Sequence, residues 1–146
     1  MRIRRGVVAL AGCAAVLAAG APAATGGTVD GEPPACSADL RTTGPLEVRT
    51  AEWTYVYTLS WCVVDGRIVS AAHEVTHVEH SPNCTWAGRK VERIEPGVSA
   101  WTAFDMSEFV CVGGDGTTEG VNPWVDVTFY PDGRYDPQKD VARSTR

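Results

Sequence analysis

The run Trp53-Thr54-Tyr55-Val56-Tyr57-Thr58-Leu59-Ser60-Trp61-Cys62-Val63-Val64 constrains the fold more than any other part of this 146-residue chain. Aromatic and β-branched residues alternate there with smaller or polar ones at period two, the pattern of a half-buried strand and not of a helix. Parity places Trp53, Tyr55, Tyr57, Leu59, Trp61 and Val63 on one face. A row of four aromatics on one face reads first as core, and otherwise as a platform on which sugar rings or a partner stack. Asp65-Gly66 follows at once, a pair suited to the left-handed positions of a two-residue hairpin turn. A tight hairpin would set Val64 against Arg67, Cys62 against Val69 and Trp53 against Val78.

Further strands are expected over Leu46–Thr50, Cys84–Ile94, Ala100–Phe104, Phe109–Val112 and Pro123–Tyr130, with Pro131-Asp132-Gly133 as a turn after the last. On that last strand Val125, Val127 and Phe129 read as buried, which leaves Trp124, Asp126, Thr128 and Tyr130 opposite; a Trp-Asp-Tyr face suits binding. Short strands at this spacing predict an all-β domain, an antiparallel sandwich or open barrel of about six strands. The expected domain spans 36–135, between a Pro/Gly-rich flexible lead-in at 25–35 and a polar, frayed tail at 136–146.

The first 24 residues read as an export signal of bacterial type. Arg2, Arg4 and Arg5 precede an uncharged apolar stretch, and Ala21-Pro22-Ala23 supplies a small-x-small cleavage site. The apolar stretch is shorter than the roughly 18 residues a membrane span needs, so no transmembrane segment is expected. Leu10-Ala11-Gly12-Cys13 resembles the lipobox of bacterial lipoproteins, whose cysteine carries the lipid; lipid anchoring at the cell surface through Cys13 is the alternative to free secretion. Cleavage leaves 10 basic against 18 acidic residues, a net of −8, so nucleic acid is not an expected partner. Cys36, Cys62, Cys84 and Cys111 remain, an even number in an oxidising compartment, and predict two disulfides. Of three connectivities, Cys36–Cys62 with Cys84–Cys111 closes the shortest loops and is preferred.

All three histidines fall in Ala71-Ala72-His73-Glu74-Val75-Thr76-His77-Val78-Glu79-His80. His73-Glu74-Val75-Thr76-His77 resembles the HExxH signature of thermolysin-type zinc peptidases. The resemblance implies zinc on His73 and His77, Glu74 as general base, Glu92 or Glu95 as third ligand and Tyr130 as an oxyanion partner. That chemistry requires a helix. On a strand His73 and His77 share a face but stand about 13 Å apart, too far to hold one zinc. Val69-Ser70-Ala71-Ala72-His73 also resembles the surroundings of the catalytic histidine in trypsin-like proteases, yet no serine nucleophile follows Asp115.

The residues therefore supply a stiff frame and aromatic faces without a complete catalytic set. The expected function is a non-enzymatic extracellular binding or inhibitor-type domain without a cofactor, its partner an extracellular protein or carbohydrate. Binding candidates are Trp53, Tyr55, Tyr57, Trp61, Trp124 and Tyr130. A secreted zinc peptidase using His73, Glu74, His77 and Glu95, and a lipid-anchored envelope protein, are the alternatives.

Overall fold

The computed structural model of the chain describes residues 28–29 and 36–145. The expected signal peptide, Cys13 and most of the lead-in lie outside those residues. What is described is all-β. β1 (Thr28–Val29), β2 (Asp39–Thr42), β3 (Leu46–Arg49), β4 (Trp53–Val64) and β5 (Arg67–Glu79) form one antiparallel sheet in the order β1-β5-β4-β2, with β3 also pairing β4. β6 (Cys84–Glu95), β7 (Trp101–Val112), β8 (Thr118–Phe129) and β9 (Tyr135–Thr145) form a second, a four-stranded antiparallel meander. The two sheets pack as a sandwich, and no helix of the described residues is long and apolar enough to cross a membrane.

β4 occupies the stretch read as the leading strand, and its aromatic face is core: Trp53, Tyr55, Tyr57, Leu59 and Trp61 are all but fully buried. Val121, Val125, Val127 and Phe129 of β8 oppose them. Trp53 stacks on Phe109 with ring centroids 4.6 Å apart, and Trp61 packs on Phe129 at 5.3 Å, so both ends of the sandwich are pinned by aromatic pairs across the sheets. Each such side chain is worth roughly 3–5 kcal/mol against alanine.

The β4–β5 turn is the expected hairpin, with Asp65 and Gly66 at φ of 50° and 71°. Val64 opposes Arg67 and Val63 opposes Ile68, but Cys62 opposes Ser70, so Val69 is an extra, bulged residue. The expected pairings of Cys62 with Val69 and of Trp53 with Val78 are therefore corrected by one residue, and Trp53 faces Glu79. Side chains alternate with period two, so this single residue turns β5 over. His73, Val75 and His77 face inward, and Glu74 and Val78 face out.

Other differences share a cause. Ala100–Phe104 and Phe109–Val112 are the two ends of one strand, β7, whose polar centre Asp105-Met106-Ser107-Glu108 masked its continuity. The polar tail is not frayed: it is the edge strand β9, carrying Pro137 and several charges on the rim, where a ladder can forgo a donor and charge discourages further pairing. Cys36 bonds Cys62 and Cys84 bonds Cys111, the short-loop connectivity. The second bridge joins residues directly opposite on β6 and β7 and sits in the core.

Candidate functional site

Two places gather functional side chains, and the first lies inside the sandwich where β5 and β6 meet. Bulges at Trp86/Gly88 and Arg89/Val91 shift β6 so that Arg89 opposes Ser107 and Glu92 opposes Asp105. Asp105 is wholly buried. Its carboxylate accepts from Tyr55 Oη at 2.7 Å, Ser107 Oγ at 3.0 Å and Arg89 Nε at 2.6 Å. Arg89 also pairs with Glu92 at 2.8 Å and reaches His73 Nε2. His73 Nδ1 meets Tyr57 Oη at 3.0 Å. Glu92, its side chain 54 % exposed, opens this chain of polar groups to solvent.

His73 Nε2 faces both a pure donor, the Arg89 guanidinium, and a pure acceptor, the Glu92 carboxylate at 3.1 Å, while Nδ1 meets the Tyr57 hydroxyl, a group that can donate or accept. Burial and then the Arg89 charge hold the His73 pKa below its ordinary 6.5, against the opposing pull of Glu92. Burial likewise lowers His77, whose ring lies flat on Trp86 at 4.3 Å and whose Nδ1 has no hydrogen bond among the described residues. Desolvation and the Asp105 charge raise both Tyr55 and Tyr57 far above the ordinary phenol range. These groups stay neutral where they sit, and the cluster ties β4 and β5 to β6 and β7 by charge-assisted hydrogen bonds.

A stability profile against pH follows. Because both buried histidines have folded pKa values below 6.5, the unfolded chain binds the extra protons. Stability should be flat above about pH 7.5 and fall as pH drops through 6.5, with a slope of up to about 2.7 kcal/mol per pH unit for two protons. Urea midpoints between pH 8 and 5 measure this. A His77→Phe variant should lose about half the slope, and an unchanged slope would remove His77 from the account.

The HExxH residues are thus all placed. His73 and His77 are buried at 4 % and 6 % exposure, on a strand, each packed against its own aromatic neighbour. The third histidine, His80, is exposed and meets Thr54 Oγ1 at 2.7 Å. Glu74 points to the opposite face, opposite Thr58, and Glu95 lies at the far end of β6 opposite Thr102. Glu92 does reach His73, at 3.1 Å, but Arg89 stands beside both. A fixed cation there disfavours a metal ion. Among the described residues no group of three or more histidine, cysteine or acidic side chains is disposed to hold one.

The second place is the outer face of the β6–β9 sheet. Parity on β7 and β8 brings Phe104, Met106, Trp124 and Asp126 outward, all half-buried. Phe104 and Trp124 are diagonal neighbours, rings within 24° of parallel and centroids 6.3 Å apart. Arg93 lies over the Phe104 ring at 5.2 Å. Beside them is a shallow depression of about 130 Å³ lined by Arg93, Glu95, Thr102, Phe104 and Asp126. Tyr130, the other expected binding residue on this strand, sits past its end, capped by Arg134 and donating to Asp136 at 3.2 Å. A roomier cleft of about 280 Å³ lies at one end of the sandwich, but Trp53 in its lining is 1 % exposed, so a ligand there would meet backbone and rim charge.

Of the binding candidates, then, the β4 aromatics are core, and Trp124 is the one set in a surface cluster. Sequence reasoning missed Phe104, Arg93, Arg89 and Asp105. The period of β7 would have found Phe104 on the Trp124 face, whereas Arg89 turns inward through two bulges, the first marked in the sequence by Gly88, at φ 116°. Fold and sites together define a two-disulfide antiparallel β-sandwich with a buried ionic cluster and an aromatic, charged outer face. Compared with known protein families, curated proteins and solved structures, the chain matches none.

Proposed function

We propose that this chain is a secreted, non-enzymatic binding module whose contact surface is the outer face of β6–β7–β8–β9. The observation that carries the reading is the Phe104–Trp124 pair held on a rigid sheet with Arg93 and Asp126 around it, apolar ring surface beside oriented polar groups. Two disulfides and the leader-like first 24 residues fit an oxidising, extracellular compartment. The buried cluster supports the same reading from the other side: His73, Asp105 and Ser107 are buried and hydrogen-bonded within the cluster, out of a substrate's reach.

Retention of the disulfide-bonded protein on insoluble polysaccharides and on immobilised secreted hydrolases tests the proposal. At least one target should bind, Trp124→Ala should weaken that binding about tenfold or more, and the melting temperature should hold within a few degrees, since the side chain is half-exposed. Zinc analysis and casein hydrolysis run beside a Glu74→Gln control. Stoichiometric zinc with Glu74-dependent cleavage would overturn the reading.

A further inference from the structure

Resting on that reading, we infer that the ligand of the outer face is a neutral, pyranose-containing saccharide. A pyranose shows aliphatic C–H groups on its ring faces and hydroxyls around its rim, so its complement is a flat aromatic surface edged by alternating donors and acceptors. The register builds that complement. Arg93, Phe104 and Asp126 stand side by side across β6, β7 and β8, and Glu95, Thr102 and Thr128 form the next row. Trp124 is diagonal to Phe104. Arg93 lies over the Phe104 ring, Trp124 flanks Phe104 on one side, and on the other side the depression, with Phe104 as its aromatic wall, offers one guanidinium donor, two carboxylate acceptors and a hydroxyl. Charge-assisted hydrogen bonds from such groups orient a polyol strongly.

The same features count against a protein partner. The centre of a protein interface is depleted of charge and desolvates large anchors in apolar pockets, whereas here the charges line the depression itself. They also decide the sign of the sugar. Glu95 and Asp126 line the site, Asp136 and Asp140 share its outward face on β9, and the chain carries a net charge of −5, so uronates and sulfated glycans are repelled.

Titration of the isotope-labelled, disulfide-bonded protein with cello-, xylo-, malto- and chito-hexaose, and with oligogalacturonate as the anionic arm, tests the inference by NMR. One or more neutral oligosaccharides should shift the Trp124 indole resonance and the amides of Phe104 and Asp126, and oligogalacturonate should not. Trp124→Ala and Asp126→Asn should each weaken the titration about tenfold or more, and Trp124→Tyr should restore part of it. Shifts at this face caused by a secreted hydrolase and by no oligosaccharide would overturn the saccharide assignment and leave the binding-module reading standing. Oligosaccharide shifts confined to other surfaces, or undiminished in Trp124→Ala, would overturn the assignment as well. No response at this face to either class of target overturns both.

Discussion

Replacing Asp105 with alanine should cost about 3–5 kcal/mol, close to the whole stability of many small domains. The carboxylate is fully buried and is the common acceptor for Tyr55, Ser107 and Arg89. Its removal strands the Arg89 guanidinium in the sandwich beside a histidine, with only the more exposed Glu92 to balance it, and leaves the Tyr55 hydroxyl without its acceptor. The damage is an uncompensated buried charge and not a lost bond, which gives the prediction an unusual second half. Changing both members, Arg89→Met with Asp105→Leu, should recover most of the loss, because apolar replacement of a whole buried pair is often neutral or favourable. Urea unfolding of the single and double variants measures both halves. A single variant losing under about 1 kcal/mol, or a double variant as unstable as the single, would show that the ionic cluster does not hold the sheets as argued.

The second large effect belongs to Cys84–Cys111. The bridge closes a sequence separation of 27 residues, worth roughly 3.5 kcal/mol in the chain-entropy account. It is also part of the core, so paired alanines add a small void near Trp53 and Phe109. Cys84→Ala with Cys111→Ala should lower the melting temperature by on the order of 15 °C. The Cys36–Cys62 bridge spans 26 residues, so its chain-entropy contribution is nearly equal. Its loss should, however, act on the first sheet, where it fastens the chain ahead of β2 to β4. Calorimetry of the two double variants separates these. Equal melting temperatures for wild type and the Cys84/Cys111 variant would remove the bridge from the stability account.

How much of this was legible in the sequence depended on whether a feature obeys period two. β4 was readable to its last residue, as were Val125, Val127 and Phe129 on the buried face of β8, because unbroken alternation fixes both the element and its inward side; Thr118–Asn122, where the alternation lapses, was not read as strand. The disulfide pairing followed from loop length. What failed to show was every feature made by interruption. Polar Asp105 and Ser107 read as a break in β7 because their partners, Arg89 and Tyr55, are remote in sequence and only the folded sheets supply them. The tail read as frayed because an edge strand needs little apolar content when one side of its ladder is already satisfied by β8. For the candidate surface, Trp124 and Asp126 were visible from parity on β8, Phe104 follows once β7 is read as one strand, and Arg93 required the β6–β7 register. The HExxH string misled for a related reason: it carries meaning only on a helix, and Asp65-Gly66 commits residues 67–79 to a returning strand.

Val69 sets which genetic changes this hairpin tolerates. Its side chain is half in water at a bulge, outside the paired ladder, so a substitution there is cheap. Its loss is absorbed as well. With one codon fewer, Ile68 and Ser70 become neighbours and the hairpin closes in plain register with the remaining pairs kept, Cys62 against Ser70 and His73 against Leu59. What the fold does not accept is the present count without the bulge, which would set Cys62 against Val69 and put Ala72 where His73 now stands and Glu74 where Val75 does. Homologous chains, wherever they are found, should therefore carry either a bulge after Ile68 or one residue fewer between the turn and the first histidine.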